Sequence, residues 1–95
     1  MRVRWLRLAL ADIDEMAEFI SKENKTAAEK VVKLIYDRVH LLVQHPDIGR
    51  PGRVPGTREL YIDGTPFIVP YRIQKDEIQV LRVFHGARKW PGTLP

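Results

Sequence analysis

The chain has 95 residues, a net charge of +4 and no cysteine. That length supports one hydrophobic core and excludes a second domain of ordinary size, so residues 1–95 are read as a single domain. Without cysteine there is no disulfide framework or thiolate metal site, and no apolar run reaches the roughly 20 residues that cross a bilayer. The N-terminal residues also lack the apolar core of a secretion signal, so the expectation is a soluble cytoplasmic protein with no membrane partner.

Val3, Trp5 and Leu6 open the chain with the alternation of a first strand. From about Leu8 the period changes to that of a helix. Leu10, Ile13, Ala17 and Ile20 form its apolar stripe, Met16 and Phe19 widen it, and Asp12, Glu15 and Glu18 are expected to face water. The polar stretch Ser21–Lys25 breaks the pattern, and Thr26-Ala27-Ala28-Glu29 has the spacing of a capping box for a second helix. Ala28, Val31, Val32, Ile35, Val39 and Leu42 make the buried stripe of that helix, which Pro46 and Gly49 bring to an end. With so short a link, the two helices return antiparallel.

Arg50–Thr57 is rich in Pro and Gly and is expected to be a surface loop. Three strands follow: Glu59–Ile62, Phe67–Ile73 and Ile78–His85, separated by turns at Gly64-Thr65-Pro66 and Lys75-Asp76-Glu77. Pro70 cannot donate to a ladder, so its strand is expected to be bulged or to have an exposed edge there. The tail, residues 91–95, is expected to be frayed or flexible. The fold class is therefore α+β, ordered β-α-α-β-β-β, with a helical hairpin on one face of a small, mainly antiparallel sheet.

Positive charge accumulates in the C-terminal half, where arginine outnumbers lysine. Arg50, Arg53, Arg58, Arg72, Arg82, Arg88, Lys75 and Lys89 stand against Glu59, Asp63, Asp76 and Glu77. Such a distribution suits binding of phosphate or carboxylate, and equally a solvated sheet face. In a regular third strand, Arg82 and Phe84 share a face with Ile78 and Val80, while His85 points the other way with Leu81 and Val83. A bend at Gly86 would free His85 from that alternation and keep it beside Arg88. Imidazole is the side chain suited to moving a proton at neutral pH, though a lone histidine also serves to bond a nearby carbonyl. Arg58 is equally read as a salt-bridge partner, Tyr61 and Tyr71 as packing residues or stacking platforms, and Trp90 as a plug that holds the tail.

Pro46-Asp47-Ile48-Gly49-Arg50, Tyr71-Arg72-Ile73 and Leu81-Arg82-Val83-Phe84-His85-Gly86-Ala87-Arg88, in that order, resemble the RelE/ParE toxin superfamily over nearly the whole chain. The resemblance implies a toxin paired with a small acidic antitoxin, needing no cofactor and no metal. It implies two activities: cleavage of mRNA in the ribosome, or poisoning of DNA gyrase without nuclease chemistry. Fold does not choose between them. The nuclease is the first reading, with His85, Arg88 and Arg58 as catalytic groups and Arg50, Arg53, Arg82, Tyr71 and Lys89 binding the RNA or target. The sequence departs from the best-known RelE pattern, since its central strands lack lysine and no tyrosine follows Arg88. The gyrase poison, which needs only a docking surface, is therefore the alternative.

Overall fold

The computed structural model describes all of residues 1–95. Strand β1 (Arg2–Trp5) leads at once into helix α1 (Arg7–Ser21), and helix α2 (Lys25–His40) returns beside it, ending in one 3-10 turn at Leu41–Val43. The remaining strands are β2 (Arg50–Pro51), β3 (Arg58–Tyr61), β4 (Phe67–Gln74), β5 (Glu77–Val80) and β6 (Phe84–His85). The sheet runs β1-β5-β4-β3-β2, with β6 also paired to β4. All pairings are antiparallel except β1 with β5, which is parallel. No helix is long and apolar enough to cross a membrane.

The helices bury one face of this sheet. Ala9, Ile13, Ile35, Val39 and Leu42 meet Leu60, Ile62, Val69, Tyr71, Ile78 and Val80 in one cluster. The stripe of α1 is centred on Ala9, Ile13, Met16 and Ile20, a rotation away from the expected one. Leu10 and Phe19 consequently fall on its flanks and are 42% and 75% exposed. The same rotation brings Asp12 inward, where its carboxylate meets Arg82. Helix α2 starts earlier than the Thr26 box predicts, because the Asn24 side chain accepts a hydrogen bond from the Ala27 N–H at 3.0 Å and serves as the cap.

Further corrections concern the strands. Arg50-Pro51 is not wholly loop, since it pairs with Glu59-Arg58 as a two-residue edge strand. The β4–β5 hairpin turns on Lys75 and Asp76 at φ 54° and 59°, the left-handed pair that a two-residue turn between twisted strands requires. Pro70 is fully buried in a central strand rather than at an edge. Its carbonyl accepts from the Leu81 N–H at 2.9 Å, so its donor-less nitrogen faces the stretch Leu81–Val83, where the chain leaves the ladder between β5 and β6. Ile78–His85 is thus two short strands, and the interruption shifts the alternation by one residue. Val83 joins the helix-side core, and His85 pairs with Phe67 on that same face. Phe84, paired with Ile68, faces the other side.

Candidate functional site

The sheet face turned away from the helices carries five of the ten arginines: Arg2, Arg4, Arg50, Arg53 and Arg72. Val3, Trp5, Ile78, Val80, Val69, Tyr71 and Leu60 point to the core, so their strand neighbours Arg2, Arg4, Glu77, Gln79, Arg72 and Glu59 point to the opposite face. Register then fixes their order. Arg4 lies opposite Gln79, Gln79 opposite Arg72, Arg2 opposite Glu77, and Glu59 opposite Arg50.

Acid and base occupy different depths on this face. The Glu77 side chain is 7% exposed, while Arg2 and Arg4 above it are 84% and 62% exposed and lie 3.4 and 3.5 Å from its carboxylate. Glu77 also accepts from the Gln79 amide at 2.8 Å. That hydrogen bond, outweighing the opposing effect of burial and aided by Arg4 and Arg2, holds the Glu77 carboxyl below its ordinary value of 4.5. Glu59 is arranged alike, with its side chain 5% exposed beneath an Arg53 that is 52% exposed. It accepts from the Arg53 backbone N–H at 2.9 Å. Arg72 donates from Nε to Gln79 at 2.8 Å and from Nη1 to the Pro95 carbonyl at 2.7 Å.

Because the folded carboxyl of Glu77 is the stronger acid, the stabilisation it gives is complete above pH 4.5 and is lost as pH falls through its lowered value. Melting temperatures recorded from neutral pH downward are expected to fall less steeply for Glu77→Gln than for the wild type. Parallel acid limbs would show that Glu77 is not linked to folding.

The tail crosses the same face. Trp90 is sandwiched between Phe84, at 4.7 Å between ring centroids, and the Arg53 guanidinium, at 3.7 Å. Its indole N–H is buried without an acceptor. Arg82 stacks on Phe84 at 4.7 Å and continues this row to Asp12 on α1. The Asp12 carboxylate raises the pKa of Arg82 further above its ordinary value.

The residues singled out in the sequence divide between the two faces. Arg50, Arg53 and Arg72 belong to the arginine face, Arg50 stacking on the Tyr61 ring at 4.6 Å. Arg82 does not belong to it, being committed to Asp12 at 2.7 and 2.9 Å. Tyr71 is fully buried and cannot touch a target. Its hydroxyl donates to the Pro46 carbonyl at 2.7 Å and accepts from the Gly49 N–H at 3.0 Å. Burial, only partly offset by that Gly49 hydrogen bond, raises its pKa above 10.0. Arg58 lies on the helix side beside Tyr71 and donates to the Gly49 and Asp47 carbonyls at 2.8 and 3.2 Å. Both side chains therefore fasten the Pro46–Gly49 turn.

His85 accepts from the Ala87 N–H at Nδ1 (3.1 Å) and sets its ring edge-on to Phe67. Arg88 stays close by, its N–H bonded to the His85 carbonyl at 3.0 Å, and both Arg88 and Lys89 are exposed. Arg58 is not with them. It pairs with Tyr71 on one side of β4 and His85 with Phe67 on the other, which puts their Cα atoms about 16 Å apart at ordinary strand spacings. The expected catalytic trio is therefore not assembled. Arg2 and Arg4 were missing from the sequence-based site. Their alternation with Val3 and Trp5 signals a shared face, but the partner strand that makes the face lies at the other end of the chain. No group of side chains that could hold a metal ion comes together.

Residues 3–90 match the family model described as ParE toxin of type II toxin-antitoxin system, parDE. The chain is 42% identical over 93 residues to the toxin-named protein Y4kP of Sinorhizobium fredii, covering 98% of this chain and 96% of the relative. It is 26% identical over 83 residues to Toxin RelE3 of Caulobacter vibrioides, covering 85% and 89%. Among solved structures, a chain of the chromosomal ParDE TA system from P. aeruginosa superposes with a TM-score of 0.80 at 35% identity, over 90% of this chain and 95% of that one. Helical hairpin, mixed sheet and sequence agree: the chain belongs to the ParE toxin family of type II toxin–antitoxin systems.

Proposed function

We propose that this toxin arrests growth by docking on DNA gyrase and does not itself cut RNA, and that a small acidic antitoxin complementary to its net charge of +4 neutralises it. One observation carries the choice: the groups nominated for RNA cleavage are dispersed and engaged. Metal-free cleavage needs a base, an acid and cations around one phosphate. Here Arg58 holds a turn on the helix side, Arg82 is bound to Asp12, and His85 with Arg88 stands alone at the end of the sheet. Docking on an enzyme requires no such convergence, and the exposed arginines supply a surface for it. The His85–Arg88 pair is what remains in favour of the nuclease that leads on sequence grounds.

The test uses purified toxin in a gyrase supercoiling assay and, in parallel, mapping of transcript ends after induction in cells. Supercoiling is expected to stop while transcripts stay intact, and His85→Ala should inhibit growth within a few-fold of the wild type. Codon-phased cuts that disappear with His85→Ala, alongside unimpaired gyrase, would overturn the proposal.

A further inference from the structure

We infer that the arginine face docks on the sugar–phosphate backbones of duplex DNA, so that the toxin grips the DNA on which its target works as well as the target itself. This rests on the gyrase reading above. The first support is the layering of charge. Arg2, Arg4 and Arg53 stand in solvent, whereas the carboxylates that pair with them, Glu77 and Glu59, lie beneath at 7% and 5% exposure. A ligand approaching the face meets guanidinium groups first. The buried carboxylates hold those groups in place without presenting negative charge at the surface.

The second support is the spacing of the cations. Arg2 and Arg4 occupy one margin of the sheet and Arg50 the other, where Arg53 pairs with Glu59. Arg72 lies between them, held by Gln79 and the Pro95 carbonyl, so the two margins carry the exposed cations. Four interstrand steps separate β1 from β2, about 19 Å. That span exceeds the roughly 12 Å width of a B-DNA major groove, so both backbones bordering one groove come within reach of the arginine side chains. The third is the state of the aromatic rings. Single-stranded RNA is gripped by stacking bases on open aromatic faces, but here Arg50 covers Tyr61, and Arg53 and Phe84 enclose Trp90. Tyr61 keeps 40% of its surface open beside Arg50, but guanidinium groups dominate what the face presents, which suits a duplex held through its phosphates without regard to sequence.

Fluorescence anisotropy of a labelled random-sequence DNA duplex, titrated with the full chain at increasing salt, tests the inference. Binding is expected, with the logarithm of affinity falling linearly with the logarithm of salt. The double variant R2Q/R4Q should flatten the slope by about 1.8 and weaken binding roughly sixty-fold near 0.1 M salt, at about 0.9 per phosphate contact. R2K/R4K, which keeps the charge, should retain the slope, as should Lys30→Gln on the helix side. Arg50→Gln, at the opposite margin and free of Glu77, should flatten the slope by about 0.9 and gives the same reading if the double variant folds poorly.

Three results would overturn the inference: no duplex binding at low salt, unchanged slopes in both R2Q/R4Q and Arg50→Gln, or tighter binding of a single-stranded RNA of equal length. The supercoiling assay separates the two claims. Toxin that stops gyrase yet ignores DNA refutes only this inference, whereas toxin that leaves gyrase untouched refutes the gyrase reading whatever it does to DNA.

Discussion

Replacing Gly49 by alanine is expected to cost about 2–3 kcal/mol of stability, the upper part of the range for forcing extra atoms into a packed site. A Cβ built on Gly49 falls 2.4 Å from the Tyr71 hydroxyl oxygen and 2.5 Å from Cε1 of its ring. Tyr71 cannot swing aside, because it is fully buried in a central strand and its hydroxyl is fixed between Pro46 and Gly49. The methyl group must displace either the ring or the turn, and displacing the turn also breaks the Arg58 contacts with Asp47 and Gly49. For a domain of this size the loss corresponds to a melting temperature lower by roughly 10–20 °C. Tyr71→Phe should cost about 1–3 kcal/mol by stranding the Gly49 N–H and the Pro46 carbonyl. The double variant should lose less than the sum, since both changes strike one contact. A Gly49→Ala protein that melts with the wild type would show that the turn adapts and that Tyr71 is not its anchor.

The same turn shows what could be read from residue order and what could not. Pro46-Asp47-Ile48-Gly49-Arg50 stood out as a motif, and Tyr71 and Arg58 as polar groups worth explaining. Only the register that sets Arg58 opposite Tyr71 on the helix side reveals that they hold the motif together. Local periodicity was sufficient for the helical hairpin and the long β4–β5 hairpin, because each is specified by neighbours in sequence. It misplaced the stripe of α1, since Leu10 and Phe19 are as apolar as Ile13 and only packing selects among them. It also carried one strand through Leu81–Val83. The break there depends on a buried proline in the neighbouring strand and on a carboxylate from α1, both distant in sequence.

The arginine face illustrates the same limit. Arg50, Arg53 and Arg72 were visible as an excess of charge, but a count cannot tell which cations are free. Arg58 adds to that count while fastening a turn on the helix side, and Arg82 while bound to Asp12 of α1. Arg2 and Arg4, outside the basic half, complete the face because β1 adds at the sheet's edge, parallel to β5. Long-range pairing therefore decides which charges are presented together, and that pairing is the part of the fold least determined by local sequence.

Asp12→Ala is expected to cost about 2–3 kcal/mol, less than the 3–5 kcal/mol for stranding one member of a fully buried pair, because solvent screens the partly exposed Arg82 left behind. Side-chain exposures of 24% for Arg82 and 14% for Asp12 place the pair between surface and core. Its geometry is bidentate, and Asp12 Oδ2 also accepts from the Val83 N–H at 2.9 Å, so one carboxylate secures both a guanidinium and the backbone of the strand break. Asp12→Asn, which keeps an acceptor for that N–H but loses the charge, should be milder, at about 1 kcal/mol. The consequence should also reach the tail, because Arg82 stacks on Phe84, Phe84 on Trp90, and Trp90 under Arg53. In a Trp5→Phe background, where Trp90 is the remaining indole, Asp12→Ala should shift its emission to the red before the main unfolding transition, as the row loosens and water reaches the indole. An unshifted Trp90 spectrum in a clearly destabilised Asp12→Ala protein would separate the two ends of the row: Asp12 would then brace the strand break, while Phe84, Arg53 and the Arg72 bond to Pro95 keep the tail on the arginine face.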